Sequence, residues 1–560
     1  MLYKIINNSL INNSLKNIIF ILIILFSFTL SSQKKANNKL ESPIDFPIIL
    51  SGNFGELRSS GFHSGIDIKT KGKEGIEIRS IDSGYVSRVQ VSTSGFGKVV
   101  YIDHGNNLTT VYAHLSKFSD KIEKIINELQ YKKKNYEVRK FFKSKELKIE
   151  KKEIIGLSGN TGSSFGPHLH FEIRKTNEEL PINPLFYNFN VVDTIRPYLK
   201  NFFLYGIKNG LLRKKQLKLS KVNDSIFTAT TIKTTDTIGF GIVSYDRQNK
   251  TNNIFGNYKY SLYKNDTLNF QLIFDSFTFS EKPFQKKYID NEYYVLNKSR
   301  IVKLFGDNKK SLSFVKGKNE GLIINKGDRH NITVKLSDYD NNNTYIKLKI
   351  VGDSTNFKYD EEVEIPFNKL IDNEKKYNLS YNGHELIIEK NTFDRKSKIL
   401  YKYENDTLYA YNPFLIALKN FEIKYPTKSL NDGQYLARIN YDGSKNFVTN
   451  TLIDGYYQFK TKTLGNFYID IDSLPPTIIR SKRVNYKNQI QYYINDKETG
   501  IKNYKGKIND QWALFEYEPK LKKIFFKNDT LLKLNKMNKV EIYVEDLVGN
   551  STSVIDSLKF

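Results

Sequence analysis

Cysteine is absent from all 560 residues, so neither a disulfide framework nor a lipid-modified cysteine is available, and the folded parts depend on their cores alone. Methionine (2) and tryptophan (1) are nearly missing, and histidine is scarce at seven. Only one long hydrophobic run occurs, IIFILIILFSFTL from Ile18 to Leu30; no other segment approaches a transmembrane length. There is no compact arginine cluster and no nucleic-acid motif. Lys plus Arg exceed Asp plus Glu by 87 to 60, for a formal charge of +27, but the lysines are spread along the chain as solvated faces. Nucleic acid is therefore disfavoured as a partner.

What is abundant is aromatic and β-branched. Tyr (37) and Phe (38) fall in short alternating runs with Ile, Val and Thr, which favours strands over helices. The length implies several domains. At the amino terminus Lys4 and Lys16 precede the hydrophobic run, and Ser31 and Ser32 follow it. This pattern predicts a signal peptide over 1–32 and a linker over 33–42, with an uncleaved anchor as the alternative. Either form predicts export, to the periplasm or cell envelope.

A mainly β fold is expected. The first folded region spans 43–190 and reads as strands such as GIDIKT, GYVSRVQV, KVVYIDHG, LTTVYAHL and HLHFEIR, with HGNN (His104 to Asn107) marking a hairpin. Within it, Ile122, Ile125, Ile126 and Leu129 at i, i+3, i+4 and i+7, behind an Asp120 to Glu123 capping pattern, predict a helical insertion over about 117–150. That basic insertion has three readings: a lid, a docking arm or a packed excursion. Beyond it DTIRPY (from Asp193) resembles DSLPPT (from Asp472), and VKLSDYDNNN resembles VEIYVEDLVGN. The repetition predicts a β-sandwich over 193–352, a β-rich domain over 353–471 and an immunoglobulin-like sandwich over 472–560.

Five of the seven histidines, His63, His104, His114, His168 and His170, lie in the first region. In HLHFEI a period of two puts His168, His170 and Glu172 on one face and Leu169, Phe171 and Ile173 on the other. FHSGID sets His63 four residues before Asp67 across a Ser-Gly turn, and VYAHLS ends a strand with Tyr112 and His114 expected on one side. Two His and one carboxylate leave the fourth position of a tetrahedral zinc open, as a catalytic site needs. Three residues carry two readings each. Tyr112 either lines the cleft or packs, Asn160 either serves the site or its SGNTG turn, and Glu172 either orients an imidazole or is an exposed strand residue. His104, at a turn, is assigned a local structural role.

FHSGID, YIDHGN, TTVYAHL and SGNTGSSFGPHLHFEI resemble, in order and context, the lysostaphin-type (LytM-like) zinc endopeptidases of metallopeptidase family 23, which cut peptide bonds in peptidoglycan. The resemblance covers about Pro43 to Asn188. It implies one Zn2+ held by His63, Asp67 and His170, with His114 and His168 as the non-ligand catalytic histidines. The family pattern joins YAHL to SGNTG by a short segment with a glycine turn. Here the whole of Ser116 to Leu157 intervenes, and Lys152 stands where that glycine is expected. The layout with long β-sandwich tails looks like large envelope peptidases of the Bacteroidetes group.

The expected function is zinc-dependent hydrolysis of stem or cross-link peptides in peptidoglycan, for cell-wall remodelling. The alternative is a non-catalytic cell-wall binding, scaffold or activator protein with an occluded peptidase-like domain. Peptidoglycan peptides are the expected partners, and envelope proteins could dock on the β-sandwich domains or the insertion.

Overall fold

Branched and aromatic side chains suit a pleated, half-buried surface, and the alternating runs do form strands. The computed structural model describes residues 40–58, 61–208, 211–306, 312–318, 320–354, 357–360, 363–427, 431–481, 489–527 and 531–559; of Gln489 only the backbone is described. The expected signal peptide and most of the linker lie outside the described residues.

The first region is built on a nine-stranded sheet. Its main strands are β1 (Leu50–Gly52), β2 (Ile66–Lys69), β3 (Gly84–Val91), β4 (Lys98–Asp103), β5 (Leu108–Leu115), β6 (Val138–Phe141) and β7 (His168–Lys175). They lie in the order β1-β2-β7-β5-β4-β3-β6, and the pairs between them are antiparallel. The two histidine-bearing segments, β5 and β7, are thus neighbours at the centre. The β4 to β5 turn carries Asn106 and Asn107 at φ of 48° and 59°, left-handed values that asparagine tolerates in a hairpin.

Helix α1 (Asp120–Lys133) occupies the insertion, burying Ile122, Ile126 and Gln130. Ser119 is its N-cap, and the Glu123 carboxylate accepts from the Phe118 backbone N–H at 2.9 Å. Lys152, at the expected glycine, takes φ of 65°, so the backbone keeps a left-handed turn although the side chain differs.

Beyond residue 197, sheets come in pairs. A five-stranded and an eight-stranded sheet are formed by strands between Tyr198 and Val351. A six-stranded and a five-stranded sheet follow between Lys369 and Ile471, and two four-stranded sheets between Thr477 and Lys559. The last two pairs each have their own core, around Leu386 and Tyr457 and around Tyr492 and Val544.

The pair of sheets after Tyr198 is different. Its core is continuous with that of the first region. Phe62 packs edge-on against Phe274 at 4.9 Å and Phe314 at 4.8 Å, and Phe54 meets Phe277 at 5.1 Å. The Asn53 amide also donates to the Gly256 carbonyl at 2.6 Å.

The last sandwich folds back onto the first region. Trp512 stacks edge-on against Tyr131 of α1 at 5.1 Å, and the buried Lys98 ammonium pairs with Glu516 at 3.0 Å. The insertion is therefore a packed platform for the chain's own tail.

Candidate metal and catalytic site

Three elements deliver the donors. His63 follows the short strand Gly61–Phe62, Asp67 lies on β2, and His170 on β7 is in register with Asp67. The turn between His63 and Asp67 hugs β7 so closely that a Cβ on Gly65 would sit 2.3 Å from the Phe171 carbonyl oxygen. Glycine is required there.

His63 Nε2, Asp67 Oδ1 and His170 Nδ1 form a triangle. Its edges are 3.1 Å (His63 to Asp67), 2.9 Å (His170 to Asp67) and 3.0 Å (His63 to His170). All three residues are buried. The opposite nitrogens are tied outward, with His63 Nδ1 donating to the Asn53 carbonyl at 2.7 Å and His170 Nε2 to Glu172 at 2.9 Å. Each neutral imidazole thus spends its proton on the outer bond and turns a bare lone pair inward, beside a carboxylate oxygen. Such a set repels itself unless a cation lies between. The edges are close to the about 3.3 Å that ligands on a tetrahedral zinc show with bonds of about 2.0 Å. The donor set fits a metal ion.

The surroundings reinforce the arrangement. Burial opposes the charge on Asp67, but with no cation in the triangle the surrounding His63, His168 and His170, when protonated, hold its carboxyl well below the usual range. Arg58 donates to its other oxygen at 2.5 Å. Burial likewise opposes the ionisation of Glu172, yet Arg174, His170 and the Ser64 hydroxyl hold it at about 2. Arg174 Nε approaches Glu172 at 2.6 Å, so the residue that orients His170 is itself fixed. Burial pushes the proton affinity of His63 down. It pushes His170 the same way, but Asp67 and Glu172 on either side outweigh it and raise His170, so without a cation a proton takes the inward position that a metal ion would fill. Phe96 stacks on the His170 ring at 5.1 Å.

His114 and His168 face the triangle from the other side. His168 Nδ1 donates to the Gly166 carbonyl at 2.8 Å, leaving Nε2 bare at 3.4 Å from Asp67 Oδ1. His114 Nδ1 donates to the Thr161 carbonyl at 2.9 Å, and its ring lies 4.9 Å from that of His168. Burial, with His170 and His168 close by, pushes His114 down to about 3, so it is neutral across the physiological range.

Strand alternation would put Tyr112 and His114 on one side; the structure separates them. The β4/β5 register slips between Lys98 and Val100, and His114 takes φ of 62°. This bulge turns the imidazole toward His168 and His170. Tyr112 keeps the core face, fully buried against Phe171, with its hydroxyl accepting from the Ile81 N–H at 3.1 Å. It does not reach the site.

Asn160 lies beside the site, in the loop before β7. Its side-chain oxygen is buried without a hydrogen-bond partner, while its carbonyl accepts from Lys520 of the last sandwich. Lys520 also reaches the Ser164 carbonyl at 2.9 Å. His104 stays apart, bonded to the Ser83 carbonyl at 2.9 Å and to Thr110 at 2.7 Å. Sequence reasoning missed Arg58, Ser64 and Arg174. Arg174 was within reach, since it continues the same i, i+2 row as His168, His170 and Glu172.

Residues 61–131 and 127–184 match the model of peptidase family M23, so the first region is similar to peptidases of that family. The chain is 32% identical over 129 residues to the DD-carboxypeptidase/endopeptidase Mpg of Neisseria meningitidis, covering 23% of this chain and 23% of Mpg. It is 38% identical over 77 residues to the peptidoglycan DD-endopeptidase ShyA of Vibrio cholerae, covering 14% of this chain and 13% of ShyA. The chain thus spans under a quarter of the length of these curated relatives. Among solved structures, the catalytic domain of the prophage-encoded M23 protein EnpA from Enterococcus faecalis is 26% identical with a TM-score of 0.20, covering 27% of this chain and 98% of that one.

Proposed function

We propose that this M23-type domain is a zinc endopeptidase that cuts peptide bonds in peptidoglycan, in an exported protein of the cell envelope. The observation that carries the reading is the triangle of inward lone pairs on His63, Asp67 and His170, with two further imidazoles turned toward it. The similarity to ShyA, a peptidoglycan DD-endopeptidase, supports the substrate class, and the basic, apolar, small-residue order of residues 1–32 supports export. The paired sheets on either side of residues 352 and 471 support the proposed domain boundaries.

In this reading His63, Asp67 and His170 hold one zinc ion, which supplies Lewis acidity to the scissile carbonyl. The chain's own residues supply the rest. His114 and His168 each have Nδ1 tied to a backbone carbonyl, so only Nε2 exchanges protons. Between them they accept the proton of the attacking water and return one to the leaving amine. Glu172 and the Asn53 carbonyl keep both ligand imidazoles in the tautomer that faces inward. Arg58 leaves Asp67 one oxygen to offer.

Mass spectrometry of peptidoglycan digested with the purified chain tests the reading and reports the bond. Release of muropeptides is expected, with His170→Ala losing the metal and His168→Ala keeping it but losing turnover. An inert parent chain that retains zinc would instead indicate a wall-binding scaffold.

A further inference from the structure

The first and last sandwiches share a device that the catalytic site does not use. In the last one, Asp546 Oδ1 accepts from the backbone N–H groups of Val548 (3.0 Å), Gly549 (2.7 Å) and Asn550 (2.9 Å). The Asn550 amide donates to Asp546 Oδ2 and to the Asp472 carbonyl, both at 2.9 Å. In the first one, Asn342 repeats this, donating its backbone N–H to Asp338 Oδ1 at 2.8 Å. Its amide donates to Asp338 Oδ2 at 2.6 Å and to the Asp193 carbonyl at 3.1 Å. A third aspartate completes each set. Carboxylate oxygens of Asp193, Asp246 and Asp338 lie within 4.8 Å of one another, as do those of Asp472, Asp496 and Asp546.

The third carboxylates differ in company. Asp496 Oδ2 accepts from the N–H groups of Glu498 (3.1 Å), Thr499 (2.8 Å) and Gly500 (2.7 Å), and Asp472 Oδ2 from the Thr499 hydroxyl (2.8 Å). Donors of the chain itself satisfy that cluster. Asp246, by contrast, is 5% exposed and its Oδ1 has no hydrogen-bond partner. Among the described residues no lysine, arginine or histidine pairs with Asp193, Asp246 or Asp338. Burial, with repulsion from nearby carboxylates that include Asp340, pushes all three up, Asp246 to about 9, Asp193 to about 7 and Asp338 to about 6. Asp193, Asp246 and Asp340 line a cavity of ≈ 30 Å³ at the seam with the peptidase domain. Asn53 lines it too, and its side-chain oxygen is also buried without a partner.

We infer that Asp193, Asp246 and Asp338 hold a calcium ion at the seam between the first sandwich and the peptidase domain. The donors are oxygens only, which excludes the nitrogen and sulfur preferences of zinc or copper. Their oxygens lie no more than 4.8 Å apart, close enough to share one ion, and calcium, unlike the reluctantly dehydrated magnesium, readily takes a site walled by protein oxygens. Because the Asn53 carbonyl fixes His63, the ion steadies the residue that holds a metal ligand.

The test uses the full chain, freed of divalent ions and reloaded with one equivalent of zinc, and titrated with CaCl2 alone by calorimetry and thermal melting. One calcium per chain is expected, with a rise in Tm of roughly 5 °C at a hundredfold excess over Kd. Asp246→Asn should abolish binding and, without calcium, melt above the parent, because an uncompensated buried carboxylate is gone. Asp193→Asn should likewise lose the ion, and serves if Asp246→Asn does not fold. Asp496→Asn, in the satisfied cluster, should keep the stoichiometry. No calcium-dependent heat or Tm shift in the parent, retention of the ion by Asp246→Asn, or a larger shift with MgCl2 would each overturn the inference.

Discussion

Lys98 of the first region and Glu516 of the last sandwich, separated by more than four hundred residues, meet in a buried ion pair 3.0 Å long. Burial opposes both charges, yet their attraction raises Lys98 and, with the help of Lys527, holds Glu516 at about 2. Glu516→Gln leaves the ammonium buried and unpaired, and should cost about 3–5 kcal/mol of docking stability. The double change Lys98→Met with Glu516→Leu should recover most of it. The pair also sets an acid limit. Glu516 has its folded value depressed from 4.5, so its contribution is complete above about 4.5 and is lost as pH falls toward 2. Trp512 is the chain's single tryptophan and packs on Tyr131, so its fluorescence reports undocking over that window.

Glu172→Gln keeps the size of the side chain but removes the charge that orients His170 and pairs with Arg174. Zinc affinity should fall about 10–100-fold, measured by competition with a chelator. Unchanged affinity would show that Glu172 serves Arg174 alone.

His114 faces the site only because its backbone is left-handed. His114→Asn, which tolerates that conformation, should fold and bind metal normally but lose hydrolysis of peptidoglycan. His114→Val should destabilise the domain by about 1–2 kcal/mol as well, since a β-branched residue resists positive φ. Denaturant midpoints separate the two effects.

Lys152 carries the same conformation without a chemical task, and its exposed side chain pairs with Glu41 at 3.2 Å. Lys152→Gly should therefore raise stability by about 1 kcal/mol, with activity unchanged. A drop in Tm would mean that the turn does not need glycine's freedom.

Much of the site was legible because a strand repeats every two residues. His168, His170, Glu172 and Arg174 form one row, and the row could be read from seven letters. His114 marks where that rule ends. One extra residue in β5 inverts alternation locally, and nothing in VYAHLS announces it, so Tyr112 was grouped with a side chain it does not accompany. Arg58, Asn53 and Lys520 reach the site through tertiary packing, for which the local sequence has no period. The mainly β architecture followed from composition, whereas the return of the last sandwich onto α1 did not, because single buried pairs such as Lys98 with Glu516 leave no pattern along the chain.

The aromatic contacts of Phe54 and Phe62 with Phe274, Phe277 and Phe314 bear on how such a protein can change over time. A domain whose interior ends at its own boundary can be cut out, duplicated or passed between genes. This one cannot, because ending the chain at residue 190 would leave two phenylalanines facing water. The first region and the first sandwich are one packed unit around a shared core, so the sandwich holds the shape of the first region even where it carries no chemistry.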